Sequence, residues 1–164
     1  MHKFPYRQLV SAIIYLNVCT QPTISYAISI LAQFNSSPTY LAIKALLRLA
    51  KFLYNNRHER LALGGGARIP MSTNFYDSDW GGCVNTRFSR SGHVTFMGNG
   101  PVTWYSKRQT NVAQSSAEAE FMAKARHLCS FWLYSLVFPS NFSPLCVCEL
   151  RRIRRSVILR LYVQ

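Results

Sequence analysis

Acidic residues are scarce in this sequence. Only 6 aspartates and glutamates stand against 19 lysines and arginines, and the formal net charge at pH 7 is +13. So large an excess in 164 residues favours a polyanionic partner, with nucleic acid the first expectation and an anionic membrane surface the second. The apolar share of 49% excludes a disordered composition, because a chain of this kind can bury a core.

Cysteines are few, and their number is odd. The five cysteines lie at positions 19, 83, 129, 146 and 148, a spacing that matches no disulfide framework. The simpler interpretation is a reducing, intracellular compartment, either cytoplasmic or nuclear. Cys146 and Cys148 form a C-x-C pair, but no second pair of cysteines or histidines stands nearby, so we do not expect a zinc site.

The sequence also lacks a long apolar run. Its first 20 residues imitate a signal peptide, since basic residues precede an apolar stretch, but no small-residue cleavage site follows cleanly. Gln21 and Pro22 interrupt the stretch before it reaches the roughly 18 apolar residues that a spanning helix needs. We therefore expect a buried amphipathic helix here, no membrane partner, and a protein that is not secreted.

Helical patterns fill the first part of the chain. Residues 6–17, 23–34 and 36–56 are predicted to form three helices, and apolar residues at helical spacing give the third one a buried face. Ser37 is predicted to cap this third helix, with Pro38 in its first turn.

The composition changes at the three glycines of 64–66, which we interpret as a hinge. Aromatic residues, threonine, valine, serine and glycine follow, and they are typical of strands and turns. A tight turn is predicted at 98–101, between the last two strands. The predicted strands lie near 72–80, 91–98 and 101–107.

A helix is predicted after these strands. Ser115 or Ser116 can cap it, and Glu118 falls in the first turn, where the helix dipole favours a carboxylate. Pro139 ends the helix, and a short strand is expected at 143–149. The order of three strands, a helix and a further strand indicates an α+β fold with a mixed sheet.

Four of the six carboxylates fall in two short motifs, Asp77 with Asp79 and Glu118 with Glu120. Two residues apart on a strand, Asp77 and Asp79 share a face, where they repel unless solvent or a cation screens them. Carboxylates that hold divalent cations would let a basic protein cut a phosphate backbone. A solvated turn and an ordinary helix start explain the two motifs as well, so their spacing alone leaves both interpretations open.

The segments FYDSDWGG, TRFSRSGH, WYSKRQ and SSAEAEF follow one another at 75–82, 86–93, 104–109 and 115–121. Together, and in this order, they resemble the ribonuclease H region of copia-type LTR-retrotransposon polyproteins. That family typically reads Y-S-D-A-D-W-A-G, T-R-x-S-x-S-G-Y, W-x-S-K-K-Q and S-S-T-E-A-E-Y. The resemblance extends upstream, because 6–16 and 20–39 look like the segment that joins reverse transcriptase to ribonuclease H.

The resemblance implies a ribonuclease-H-like fold that hydrolyses the RNA strand of RNA–DNA hybrids with Mg²⁺, or with Mn²⁺ in its place. The position that matches the family's first catalytic aspartate is Asp77, with Asp79 beside it as a further metal ligand. The family's catalytic glutamate matches Glu120, whereas Glu118 is interpreted as a helix-start charge.

A nucleic-acid contact is predicted near the end of the third strand. Lys107 and Arg108 follow Trp104, and such cations position a phosphate backbone while hybrid shape and 2′-OH groups discriminate between nucleic acids. An exposed strand end is the alternative interpretation of the same residues.

The resemblance stops after residue 138. The family's third carboxylate follows a strand that ends C-D-N-Q, where this chain has Cys148 and Glu149. Its fourth comes from a segment like T-K-H-I-D, which has no counterpart before Gln164. With two ligands missing, metal affinity and rate should fall, so we expect weak or no activity.

Three regions follow from these observations. We expect a helical connection segment at 1–66, an incomplete ribonuclease-H-like domain at 67–138, and a divergent basic tail at 139–164. The chain is thus interpreted as a truncated fragment of a Pol polyprotein, whose ancestral partners were the rest of that polyprotein and an RNA–DNA hybrid. A non-catalytic basic module that only binds nucleic acid is the alternative.

Overall fold

The computed structural model describes residues 4–63, 72–83, 86–97 and 100–125. The chain divides into two compact units, Met1–Leu61 and Ala62–Gln164. The predicted hinge at 64–66 and the strand expected at 143–149, with Glu149, lie outside the described residues. So do the basic tail and two residues of the predicted turn at 98–101.

The first unit is built from three helices. Helix α1 spans Tyr6–Cys19, α2 spans Ser25–Leu31 and α3 spans Tyr40–Asn55. Short 3₁₀ turns at Pro22–Ile24 and Ala32–Phe34 flank α2. The helix predicted over 23–34 is therefore wound tightly at both ends, as is common where a helix joins a connection.

Helix α3 begins later than the sequence pattern predicts. Thr39, in an extended conformation, is the N-cap, and its hydroxyl accepts a hydrogen bond from the backbone N–H of Ala42 at 3.2 Å. The prediction that Ser37 caps this helix, with Pro38 in its first turn, is therefore wrong. A threonine hydroxyl satisfies one of the otherwise unpaired N–H groups of the first turn, and Thr39 stands nearer the first apolar position of the buried face.

The core of the first unit consists of apolar side chains from all three helices. Tyr6 of α1 is buried among them, and its hydroxyl donates a hydrogen bond of 2.8 Å to the backbone oxygen of Leu31. Burial raises the pKa of the Tyr6 phenol, so this hydroxyl keeps its proton and remains a donor at neutral pH. The buried core residues are Tyr6, Val10, Ile13, Ile24, Ile28, Leu31, Ala42 and Leu46.

The described part of the second unit contains a three-stranded antiparallel sheet in the order β1-β2-β3. Strand β1 spans Ser72–Asp79, β2 spans Arg90–Met97 and β3 spans Gly100–Arg108. Each bound agrees within one residue with the sequence prediction, and glycines follow β1 and β2 in the sequence. Helices and this sheet together confirm the α+β class.

Alternation along the strands gives the sheet two chemically different faces. Ser78 pairs with Ser91 and Asn74 with Thr95, and the Thr95 hydroxyl donates to the Asn74 side-chain oxygen at 2.7 Å. We call this side the serine face. The aspartate face is the other side, which carries Asp77 and Asp79 and the residues paired with them, because side chains one residue apart on a strand point in opposite directions.

Helix α4 occupies residues 116–125 in the described part of the chain. Ser115 caps it, since its hydroxyl accepts from the backbone N–H of Glu118 at 3.2 Å. The Glu118 carboxylate in turn accepts from the backbone N–H of Gln114 at 2.7 Å. This capping arrangement confirms Ser115 as the cap and Glu118 as a helix-start charge. Ala119 and Ala123 form the buried side of the helix.

Within residues 4–63, 72–83, 86–97 and 100–125, none of the helices combines the length and apolar character that crossing a bilayer requires.

Candidate metal and nucleic-acid site

Asp77 lies near the end of β1, on the aspartate face. Its partner across the β1–β2 pair is Gly92, and the next residue in the same row is Ser106 of β3. Gly92 has no side chain, so the residue paired with Asp77 on β2 places no side chain beside the carboxylate. The strand ends two residues later, and the carboxylate is therefore near the rim of the sheet.

The Asp79 carboxylate forms a hydrogen bond between β1 and β2. Its Oδ1 accepts a hydrogen bond of 2.5 Å from the backbone N–H of Arg90, the residue directly opposite it in the sheet. A Cβ at Gly82 would lie 2.0 Å from Asp79 Oδ2, so any larger residue there requires the Asp79 carboxylate to move. The metal role predicted for Asp79 stays a prediction, and the geometry assigns this carboxylate to the β1–β2 connection.

Gln109 joins the end of the sheet to helix α4. Its side-chain nitrogen Nε2 lies 3.1 Å from Ser78 Oγ, 2.8 Å from Ser91 Oγ and 2.9 Å from the backbone oxygen of Ala119. Ser78 is the chain neighbour of Asp77, and Ala119 is the chain neighbour of Glu120. One amide group therefore brings together the two segments that carry the predicted catalytic carboxylates.

A second contact holds the same two segments together. The indole N–H of Trp80 donates a hydrogen bond of 3.0 Å to the backbone oxygen of Ala113, which is buried. Trp80 directly follows β1, and Ala113 precedes the cap of α4. The start of α4 is thus tied to the end of β1 at two places along the chain.

Glu120 lies in the second turn of α4 and is exposed. Its neighbour Ala119 is fully buried. The Glu120 carboxylate therefore lies next to the buried side of the helix but is not part of it. Ser78, and not Asp77, is the β1 residue that contacts the Gln109 amide on the serine face. The approach of the Asp77 and Glu120 carboxylates to one cation stays a prediction.

The available ligands limit the kind of cation site. No cluster of three or more histidine, cysteine, aspartate or glutamate side chains suited to a metal occurs among residues 4–63, 72–83, 86–97 and 100–125. Mg²⁺ is commonly held by one or two protein carboxylates together with substrate phosphates and water. A pair of carboxylates such as Asp77 and Glu120 would have to bind a cation in this way, and whether they do so stays a prediction, because the described side chains form no closed cage.

The three predicted nucleic-acid contacts separate onto two faces. Trp104 pairs with Val94 and Arg108 with Arg90, and both therefore lie on the aspartate face with Asp77. Lys107 pairs with Ser91 and points to the other face. Lys107 and Arg108 are exposed, and the Arg108 guanidinium lies 5.0 Å from the Phe88 ring centroid. Contact of these residues with nucleic acid stays a prediction.

The sequence interpretation missed Gln109 as a site residue. The residue is 4% exposed, which is unusual for a glutamine. The sequence feature that could have pointed to Gln109 is its position at the end of the WYSKRQ segment, directly after a strand. Its role depends on partners 31, 18 and 10 residues away, which local patterns do not identify.

Comparison with known proteins places the chain among transposon-related sequences. It is 38% identical over 125 residues to the secreted RxLR effector protein 161 of Plasmopara viticola, covering 75% of this chain and 86% of that protein. It is 36% identical over 120 residues to an uncharacterised mitochondrial protein of Arabidopsis thaliana, covering 73% of this chain and 49% of that protein.

The third relative is much longer than this chain. The retrovirus-related Pol polyprotein from transposon RE1 of Arabidopsis thaliana is 33% identical over 133 residues, which are 80% of this chain and 9% of the polyprotein. The chain thus spans about half of the mitochondrial relative and a small part of the Pol polyprotein. No family model and no solved structure matches the chain.

Proposed function

Because the chain belongs to the family that includes the retrovirus-related Pol polyproteins of transposons, we propose that its second unit is a ribonuclease-H-type module that binds RNA–DNA hybrids. The observation that carries the proposal is the Gln109 amide, which joins the neighbours of Asp77 and Glu120. These are the two residues that match the catalytic aspartate and glutamate of the copia-type ribonuclease H motifs.

The cation site of this module lies at the rim of the sheet, where β1 ends and α4 begins. Asp77 reaches the rim from the aspartate face, and Glu120 reaches it from the exposed side of α4. A divalent cation bound there supplies Lewis-acid stabilisation of phosphate oxygens and lowers the pKa of bound water. The two carboxylates hold and orient this charge within a chain whose net charge of +13 attracts the nucleic acid.

The same face offers contacts to the substrate backbone. Arg108 is exposed at the end of β3, and Trp104 lies on the aspartate face four residues before it. A cation that contacts phosphate and an aromatic ring that contacts sugar or base position a hybrid without reading its sequence. Lys107, the third predicted contact, is exposed on the opposite, serine face. An RNA–DNA hybrid as substrate favours an intracellular location for the protein.

Hydrolysis by this module is expected to be slow. The motifs matched here supply two of the four carboxylates that the ribonuclease H family uses, and loss of metal ligands lowers both cation affinity and rate. The test is incubation of the full chain with a labelled RNA–DNA hybrid, with Mg²⁺ and with EDTA. We expect slow cleavage of the RNA strand that requires Mg²⁺ and is absent on duplex DNA. Cleavage that persists in EDTA would contradict the proposal.

A non-catalytic nucleic-acid-binding function is the second candidate, and a surface of the first unit favours it. Tyr40, Lys44, Leu47, Lys51 and Tyr54 recur on α3 at spacings of four and three residues, so they form one stripe along the helix. All five side chains are exposed, with Tyr40 77% and Tyr54 66% accessible. Lysines flanked by aromatic rings are typical of surfaces that bind single-stranded nucleic acid.

The charge balance of the first unit supports this use of the stripe. Its only carboxylate is Glu59, while Arg48 is also exposed on α3, and the Arg57 guanidinium stacks on Tyr54 at 4.5 Å from the ring centroid. A phosphate backbone that approaches α3 therefore meets cations with little competing negative charge.

The Lys44→Gln/Lys51→Gln double variant tests the second candidate. If both lysines contact phosphates of a single-stranded oligonucleotide, the slope of log affinity against log salt concentration should fall by about 1.4, since each contact contributes about 0.7. Fluorescence anisotropy measures it in a series of salt concentrations. Arg7→Gln, which removes a charge from α1, is the control and should leave the slope unchanged. Equal slopes for the double variant and the wild type would exclude this surface.

A further inference from the structure

We infer that Gln109 is the positioning residue of the proposed cation site. Its amide fixes the end of β1 against the first turns of α4, and it thereby sets the separation of Asp77 and Glu120. The inference rests on the proposed function for the role of the two carboxylates. It adds to that function a residue that binds neither cation nor substrate and acts through the elements it joins.

The contacts of Gln109 reach three separate elements. Its Nε2 contacts Ser78 of β1, Ser91 of β2 and the backbone oxygen of Ala119 in α4. Its own backbone N–H donates to the backbone oxygen of Ser89 at 2.8 Å, so the main chain at this residue is also held. A side chain whose backbone is fixed loses less entropy when it forms its hydrogen bonds.

A buried amide suits this position because of its length and its donor group. Gln109 spans from the end of β3 to the opening turn of α4, a reach that a shorter asparagine side chain does not have. The amide nitrogen donates to all three oxygens, whereas the carboxylate of a glutamate would have no hydrogen to donate to the Ala119 carbonyl. An apolar side chain would leave the Ala119 carbonyl, the buried Ser91 hydroxyl and the partly buried Ser78 hydroxyl without this partner.

The hydrogen bonds of Trp80 and Gln109 fix different parts of the chain near α4. Trp80 bonds to Ala113, which precedes the cap of α4, so this bond locates the approach to the helix. Gln109 bonds to Ala119, one residue from Glu120, so this bond locates the helical turn that carries the carboxylate. Loss of the Gln109 contact therefore frees the turn of Glu120 while the Trp80 contact keeps the chain attached.

Gln109→Leu in the full chain is the test, and Gln114→Leu is the matched control. Both variants make the same chemical change five residues apart, but Gln114 is exposed. Hydrogen exchange at amides 116–120 should accelerate about 10-fold in Gln109→Leu and remain at the wild-type rate in the control, because only the first leaves buried oxygens without a donor. Mn²⁺ affinity, measured by electron paramagnetic resonance, should fall about 10-fold, as for loss of a group that orients metal ligands.

Further readouts separate positioning from general destabilisation. Hybrid binding in EDTA should be the same for Gln109→Leu and the wild type, because positioning affects the cation site and not the rest of the surface. Unchanged exchange at amides 116–120, or an equal loss of hybrid binding in EDTA, would overturn the inference. Faster exchange in α4, with no Mn²⁺ binding by the wild type, would contradict the proposed function and still support Gln109 as the clamp between β1 and α4.

Discussion

Asp77→Asn is expected to lower Mg²⁺-dependent cleavage of an RNA–DNA hybrid by at least about 100-fold, since loss of a residue that merely orients metal ligands already costs 10–100-fold. Asparagine keeps the size of the side chain and one oxygen, so the β1–β2 pairing opposite Gly92 is preserved. What is lost is one of the two carboxylate charges of the proposed cation site. Single-turnover cleavage at several Mg²⁺ concentrations measures the change, with Mn²⁺ affinity as an independent readout.

The helix that carries Glu120 provides the matched control. Glu120→Gln should reduce cleavage as Asp77→Asn does. Glu118→Gln removes the same charge two residues away, yet a glutamine there still accepts the Gln114 N–H that closes the helix cap. Cleavage by Glu118→Gln should therefore stay within about 2-fold of the wild type, as for an ordinary surface change. Equal rates for Asp77→Asn and the wild type would remove Asp77 from the site.

Leu46→Ala is expected to lower the free energy of unfolding of the first unit by about 2–5 kcal/mol, the range found when a buried leucine is truncated. Leu46 is completely buried in the core between the three helices. Its removal takes apolar area out of the core and leaves a cavity that the neighbouring side chains fill only in part. Domains of this size are stable by only about 5–15 kcal/mol, so the loss is a large fraction of the total.

The next residue of α3 is the control for this prediction. Leu47→Ala makes the same change in the same helix, but Leu47 is 49% exposed, and its replacement should cost less than about 1 kcal/mol. Urea unfolding followed by circular dichroism at 222 nm reports on these helices. The tryptophans, at 80, 104 and 132, all lie in the second unit, so their fluorescence should show little change. Equal midpoints for the two variants would contradict the packing described for α3.

The strands could be predicted closely from the sequence. Val94, Thr95 and Phe96 are strong strand formers, and glycines follow β1 at 81 and 82 and β2 at 98 in the sequence. The start of α4 could also be predicted, because Ser115 and Glu118 are three residues apart, as in a capping box, and precede an apolar run. These elements depend on neighbours a few residues away, which is the range over which propensity and turn chemistry act.

The start of α3 was less predictable. Ser37, Pro38 and Thr39 each satisfy one rule for a helix start, and only the packing of Ala42 and Leu46 into the core decides where the first turn lies. The same limit applies around α2, where the sequence pattern suggests one helix and the chain forms an α-helix between two 3₁₀ turns.

The candidate site could be predicted in part. Motif order predicts Asp77 and Glu120 as site residues, but it did not reveal that Ser78 is the residue on the side of α4, or that Asp79 accepts a hydrogen bond across the β1–β2 connection. Both facts depend on strand alternation and on a backbone N–H from another strand. The sheet register, fixed by tertiary pairing, determines them.

The Gln109 amide nitrogen carries two hydrogens and faces three oxygens. If either serine hydroxyl is removed, both amide hydrogens still have an acceptor. If the amide is removed, all three oxygens lose this donor. Substitutions of Ser78 or Ser91 should therefore be tolerated better than substitutions of Gln109, and related sequences should vary more at positions 78 and 91 than at 109.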